Sequence, residues 1–131
     1  MKLIAIETAT ENCSVAVMNQ DQIFQKQAEE PRKHAELVLP YLTELLHKAG
    51  VEKSEIDGIV FGHGPGAFTG VRIAIGVVQG LALALGVKVL GVSTLANMAQ
   101  GAWHKGLRGQ LLVANDARMN EVYWATFELS D

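Results

Sequence analysis

The amino-acid sequence predicts an α/β fold, in which a mixed β-sheet carries helices on its faces. Short runs of strand composition alternate along the chain with longer helical patterns, in the order β-β-β-α-β-α-β-α. One strand leads through a loop rich in glycine and proline directly into a long apolar helix. The pattern that opens the chain also returns 108 residues later, which indicates a repeated unit.

The first part of the chain predicts a three-stranded meander followed by a helix. The strands are expected at 3–7, 14–18 and 23–28. The helix follows Glu30 and Pro31 and runs to Ala49, where Gly50 and Val51 predict an ending of the Schellman type. Its predicted core stripe consists of Ala35, Val38, Leu42, Leu45, Leu46 and Ala49.

The centre of the chain is a strand at 56–61, a glycine loop and a helix at 68–85. The loop residues that we single out are Gly64, Pro65, Gly66, Thr69 and Gly70. Glycine lets a backbone approach another group closely, and such a loop at a helix N-terminus could hold an anion. A Walker A phosphate loop is excluded, because no Gly-Lys-Ser/Thr follows Gly66. Arg72 could bind an anion, or it could be a solvated or ion-paired side chain.

The helix at 68–85 is apolar on both faces. One face is expected to lie on the sheet, and it carries Val71, Ala74, Val78, Leu81, Ala82 and Leu85. The other face carries Ile73, Gly76, Val77, Gly80, Leu83 and Ala84. Another helix of the chain, a second domain or a partner chain must cover that second face. If the two long helices pack side by side, His34, Leu37 and Tyr41 form a ridge beside this second face. We predict that the second face, this ridge and Arg72 together bind a partner.

The last third of the chain predicts a strand at 87–92 and a short helix opened by Ser93 or Thr94. Residues 101–109 resemble a linker. Runs at 111–116 and 122–125 then repeat the opening strand, turn and strand. We therefore expect a first domain at 1–105, and at 106–131 a linker with the opening hairpin of a second, truncated domain of the same type.

Composition excludes several classes of protein. A net charge of −3 gives no general basic field for nucleic acid. The apolar run 73–87 is shorter than the roughly 20 residues of a membrane span, and Arg72 and Lys88 flank it. The single cysteine, Cys13, cannot form an internal disulfide, and we expect it in the core of a cytoplasmic protein.

The chain is similar to the bacterial TsaB (YeaZ) family over nearly its whole length. The matching segments are 6–10, 13–16, 64–72, 79–82, 91–95 and 116–123, in the family's order and spacing. This resemblance implies the actin, sugar-kinase and heat-shock-ATPase fold, which is ribonuclease H-like. It also marks the turn with Asp116 and Arg118 as a family signature, although an ion pair of Arg118 with Asp116 or Glu121 explains that turn equally well.

The resemblance implies a non-catalytic subunit in the synthesis of N6-threonylcarbamoyladenosine next to the anticodon of tRNAs. The implied partners are the catalytic paralogue TsaD and the ATPase TsaE, with a homodimer in isolation and contact with tRNA only through the complex. TsaD carries two metal-binding histidines where this chain has Thr94 and Met98. We therefore expect no catalytic residue, no metal, no cofactor and no membrane contact.

Three other hypotheses remain open. The first is an ATP-binding enzyme of the sugar-kinase type, which could use Glu7, Glu11 and Asp116, although its first hairpin holds no glycine for a phosphate. The second is a metal-free relic of a peptidase-like family. The third is a self-associating structural domain without an enzyme partner. Nucleotide binding would distinguish the first, and capture of TsaD would distinguish the third.

Overall fold

A computed structural model of the chain describes residues 1–29 and 33–131. The strands are Lys2–Glu7 (β1), Cys13–Asn19 (β2), Gln22–Ala28 (β3), Gly58–Gly62 (β4), Lys88–Val92 (β5), Gly109–Arg118 (β6) and Glu121–Leu129 (β7). The helices are His34–Ala49 (α1), Phe68–Leu85 (α2) and Thr94–His104 (α3). This order confirms the predicted succession of elements. Glu30 and Pro31, expected just before α1, lie outside the described residues.

The first five strands form one mixed sheet in the order β3-β2-β1-β4-β5. The meander β1, β2 and β3 is antiparallel, whereas β4 pairs parallel to β1 and β5 pairs parallel to β4. The parallel pairs need crossover connections, which α1 and α2 provide. The mixed α/β architecture that the sequence predicts is therefore confirmed.

The main core lies between one face of this sheet and the helices α1 and α2. Strand residues alternate between the two faces, and several of those that face the helices are almost fully buried. These buried residues are Ile4, Ile6, Cys13, Val15, Val17 and Ile59. Helix α1 lies mainly over β2 and β3, and α2 lies mainly over β4. Both long helices therefore occupy the same side of the sheet.

The predicted stripe of α1 is buried as expected at five of its six positions. Ala35 is the exception: it is exposed, and His34 occupies the interior position of the first turn instead. The helix ends as predicted, with Gly50 at φ 62° and hydrogen bonds from Gly50 N to His47 O and from Val51 N to Leu46 O. These two bonds define the Schellman ending.

Helix α2 is long and apolar enough, by length and composition, to cross a membrane. In this fold, however, it buries Ala74 and Val78 against the sheet. A membrane-spanning position would leave that part of the core without its helix. Its length and composition are therefore accounted for by one face on the sheet and a second face that remains open.

The predicted linker at 101–109 is wrong for its first four residues, because α3 continues to His104. Leu95 and Ala99 of α3 pack against Val113 of β6, and Trp103 Nε1 donates a hydrogen bond to Ser130 O at 2.8 Å. These contacts hold the last turns of α3 on the hairpin of β6 and β7, although Gly101 lowers the helix propensity there. The domain boundary at 105 stays a prediction.

Candidate functional site

The glycine loop is tied to the start of α3 by Thr94. The Thr94 side chain accepts a hydrogen bond from Gly64 N at 3.1 Å and donates one to Glu7 Oε2 at 3.1 Å. Its backbone N–H donates to Gly64 O at 2.9 Å. Thr94 is buried, so one hydroxyl joins three separate segments in the interior.

The loop also packs closely against the turn after β1. Ala67 N donates to Ala9 O at 2.8 Å, and Thr8 Oγ1 donates to Gly70 O at 2.6 Å. A methyl group at Gly66 or Gly70 would overlap the carbonyl oxygens of Ala9 and Thr8. The same turn is folded inward by Glu7, whose Oε1 accepts from Ala9 N at 2.8 Å. Glycine at these loop positions is therefore required for contact with the protein's own backbone.

The second hairpin reaches the same loop through a residue that the sequence analysis missed. Asn115 Nδ2 donates to Pro65 O at 3.1 Å, across 50 residues of sequence. A signal for this residue existed, because the repeat offset of 108 places Asn115 at the position of Glu7. The loop thus meets the two equivalent polar residues of the two hairpins, one through Thr94 and the other directly.

The outward face of α2 is open to solvent in this chain. Gly76, Gly80 and Ala84 are exposed, and Leu83 keeps 88% of its surface accessible. A Cβ atom added at Gly76 or Gly80 would meet none of the described residues outside the helix within 4 Å. The predicted division of α2 into a sheet face and a second apolar face is confirmed, and within the described residues no helix covers the second face at these two glycines.

Two residues assigned to the second face lie nearer the core than expected. Val77 is half-buried and packs against the main core cluster, and Ile73 is also half-buried. Arg72 is exposed and stacks on Phe68, with its guanidinium carbon 3.3 Å from the ring centre and Nη1 3.3 Å from Phe68 O. No ion pair of Arg72 occurs in the described part of the chain. The first turn of α2 therefore presents a cation stacked on an exposed aromatic ring.

The predicted ridge of α1 is only partly at the surface. Leu37 and Tyr41 are half-buried against the core, and Lys26 Nζ lies 4.8 Å from the centre of the Tyr41 ring. The placement of His34 on this ridge is wrong, since only 6% of His34 is exposed. Its Nε2 lies 2.8 Å from Thr10 O, a contact that draws the ring into the interior. The ridge is therefore limited to Leu37 and Tyr41.

The signature turn between β6 and β7 is held by its backbone. Asp116 Oδ1 accepts from Arg118 N at 2.8 Å, and Arg118, Met119 and Asn120 have φ of 67°, 55° and 60°. Across 1–29 and 33–131 no salt bridge of Arg118 is found, so neither ion pair proposed for it is present. Thr69, predicted with the loop, is exposed at the first turn of α2.

The described residues offer little nucleophilic or metal-binding chemistry. Cys13 is fully buried, and its burial raises the pKa of the thiol. Among the residues that the structure describes, no group of three or more histidine, cysteine, aspartate or glutamate side chains converges on one point. Glu7 and Thr94, which a ligand would need free, are bonded to each other.

Comparisons with known proteins give one consistent result. A family model described as "TsaD: tRNA N6-adenosine threonylcarbamoyltransferase" matches residues 20–131. The "tRNA threonylcarbamoyladenosine biosynthesis protein TsaB" of Escherichia coli K12 is 47% identical over 128 residues, which cover 98% of this chain and 55% of that protein. The protein of the same name from Haemophilus influenzae is 38% identical over 125 residues, or 95% of this chain and 53% of that protein.

Among solved structures, "YeaZ from Pseudomonas aeruginosa" superposes with a TM-score of 0.94 at 50% identity. That match covers 98% of this chain and 61% of the other. The chain therefore spans a little over half the length of these relatives, and nearly all of it follows their fold.

Proposed function

Because this chain belongs to the TsaD family, and within it to the TsaB (YeaZ) group, we propose that it acts in the biosynthesis of tRNA threonylcarbamoyladenosine. In this proposal it is a non-catalytic subunit that binds the catalytic paralogue TsaD through the open face of α2. The names of its E. coli and H. influenzae relatives, which are tRNA threonylcarbamoyladenosine biosynthesis proteins, support the pathway. The geometry of α2 supports the mode of action.

The observation that carries the proposal is the contrast between two pairs of glycines. Glycine is required at positions 66 and 70 by contacts within the chain, since Gly66 and Gly70 each lie against a backbone carbonyl of the first hairpin turn. A Cβ added at Gly76 or Gly80 would meet no described residue outside the helix within 4 Å, yet each glycine costs about 1 kcal/mol of helix stability relative to alanine. Close approach by a helix of another chain would offset that cost. Exposed Leu83 beside them would then be buried as well.

A non-catalytic role is consistent with how the polar groups of the loop are used. Glu7 and Thr94 bond to each other and to backbone N–H groups, and they fix the loop on which α2 begins. The loop is thus a structural support for the interaction helix. In this proposal no cofactor is bound, TsaE joins in a ternary complex, tRNA is reached only through that complex, and the protein works in the cytoplasm.

The test is hydrogen exchange on this chain with and without purified TsaD. We expect new protection in α2, Phe68–Leu85, and in the segment of α1 around Leu37 and Tyr41. Protection confined to β6 and β7, with none in α2, would contradict the proposed surface. Failure of any complex to form at tens of micromolar would contradict the partnership itself.

A further inference from the structure

The turn that follows β1 holds the start of α2 by two hydrogen bonds. Thr8 Oγ1 donates to Gly70 O at 2.6 Å, and Ala67 N donates to Ala9 O at 2.8 Å. Thr8 and Ala9 are fully buried, so neither bond is exposed to competition from water. Among the described residues no side chain caps the first turn of α2, and these two bonds therefore fix where that helix begins.

The next residue of the same turn holds the start of α1. Thr10 O lies 2.8 Å from Nε2 of His34, the first residue of that helix. A carbonyl oxygen can only accept a hydrogen bond, so the N–H group at Nε2 is the donor. The described residues supply no side-chain cap to α1 either. Three consecutive residues, 8–10, are thus bonded to the starts of both long helices.

His34 suits a role in positioning better than a role in stability. Only 6% of its surface is exposed, and in the described part of the chain its second ring nitrogen, Nδ1, has no hydrogen-bond partner. A buried polar atom without a partner is destabilising by about as much as one hydrogen bond stabilises, or more. An apolar side chain of similar size would avoid that cost. It could not, however, donate to Thr10 O.

Direct contacts between α1 and α2 are few. Helix α1 packs mainly on β2 and β3, and α2 packs mainly on β4. The surface proposed to bind a partner nevertheless includes both helices, with Leu83 on α2 and with Leu37 and Tyr41 on α1. Leu37 lies about one helical turn after His34. The bond from His34 to Thr10 therefore fixes the part of α1 that such a partner would meet.

We propose that the turn at 8–10 is a clamp that sets the position of α1 relative to α2, and that His34 is its positioning residue on α1. The effect on partner binding rests on the proposed function, whereas the clamp itself is a property of the single chain. Breaking the bonds on either side should let the two helices move independently. A partner would then have to order a surface that the clamp otherwise holds in one arrangement, and its affinity should fall.

Substitutions at position 34 separate the hydrogen bond from the space that the ring fills. His34→Gln keeps an N–H group near the position of Nε2, whereas His34→Met fills a similar volume without a donor. Thr43→Met is the matched control, because it removes a side-chain hydrogen bond of the same helix, from Thr43 Oγ1 to Leu39 O, at an exposed site. The readout is hydrogen exchange of the backbone amides at 37–41 in the chain alone.

We expect these amides to exchange about ten-fold faster in His34→Met, and near the parent rate in His34→Gln and Thr43→Met. Parent rates in His34→Met would overturn the clamp. If His34→Met does not fold, His34→Asn takes its place, because the shorter amide side chain does not reach Thr10 O. Parent rates in His34→Asn would overturn the clamp in the same way.

A double-mutant cycle with purified TsaD then tests the clamp as a unit. His34→Met breaks the bond to α1 and Thr8→Val breaks a bond to α2, and each should weaken the binding of TsaD about ten-fold, with His34→Gln near the parent. Once one side is released, the other no longer aligns the helices, so the double variant should bind about as weakly as each single variant.

Losses that multiply to about a hundred-fold in the double variant would indicate two separate local effects and would overturn the clamp. If the parent chain does not bind TsaD, the proposed function fails. The exchange rates at 37–41 still decide whether the clamp exists.

Discussion

The Thr94 hydroxyl lies 3.1 Å from Glu7 Oε2 and 3.1 Å from Gly64 N, so it joins the end of β1, the glycine loop and the first turn of α3. The loop leads into α2, the helix that we propose binds a partner chain, and α3 packs on the hairpin of β6 and β7. One buried side chain therefore sets their relative positions.

Replacing this hydroxyl should destabilise the protein. Thr94→Val keeps the shape of the side chain but leaves Gly64 N and Glu7 Oε2 without their partner, which costs about 1–3 kcal/mol. Urea denaturation followed by circular dichroism measures the loss. Thr94→Ser keeps the hydroxyl and should retain most of the stability. Equal stability of Thr94→Val and the parent chain would show that the network contributes nothing.

Two glycines of α2 should respond to alanine in opposite directions. Gly70→Ala drives a methyl group into Thr8 O and should destabilise by about 1–3 kcal/mol. Gly76→Ala meets open space and should stabilise by about 1 kcal/mol through helix propensity. Thermal unfolding should be measured at protein concentrations low enough for each variant to be monomeric, so that only the stability of the single chain is compared. If Gly76→Ala is destabilising as well, the second face of α2 is packed within the chain.

Most of the architecture could be predicted because it depends on local periodicity. The alternation of Ile4, Ile6, Val15 and Val17 and the stripe of α1 are patterns of two and 3.6 residues, which a sequence displays directly. The end of α1 was equally predictable, since Gly50 is the residue that tolerates a positive φ.

The errors concern residues whose position depends on distant contacts. His34 is drawn inside by Thr10 O, which lies 24 residues earlier, and helical periodicity does not encode that contact. The last turn of α3 is fixed by Trp103 on Ser130, against the local signal of Gly101. The bond of Asn115 to Pro65 has the same character, although the repeat pointed to its position. Long-range pairing therefore decided the details of the site.

The stability of the chain should fall in acid partly through Glu44. Hydrogen bonds from Lys26, and then from Lys48, lower the pKa of Glu44 from 4.5 to about 2. A lowered pKa means that the folded state favours the ionised carboxylate. The stabilisation is thus present above pH 4.5 and is lost as the pH falls towards 2. Because the group is at the surface, salt should reduce the effect.

Glu44→Gln should therefore show a shallower loss of stability between pH 4.5 and 2 than the parent chain, measured by urea midpoints at each pH. Lys26→Met removes the first of the two donors and should flatten the same window. Parallel profiles for all three proteins would rule out this ion cluster as a source of the acid dependence.

We predict that self-association of the chain and its proposed binding to TsaD compete for the open face of α2. A paralogue with an equivalent helix would present a similar small, apolar face, so like pairs and mixed pairs have the same geometry. Gly80→Arg would hold the two helices apart and cost about 3 kcal/mol of association free energy, roughly a hundred-fold in Kd. Val78, on the sheet side, is untouched, so the fold should remain.

The matched control is Gly101→Arg, which places the same side chain at an exposed, unobstructed glycine of α3. Light scattering and titration with TsaD should show both associations lost in Gly80→Arg and both kept in Gly101→Arg, with native far-UV circular dichroism in each. If Gly80→Arg abolishes only the homodimer, TsaD binds elsewhere. An arginine on a shared face would block the helix of TsaD as well as the helix of a second copy. If neither association changes, the glycines of α2 serve no contact between chains.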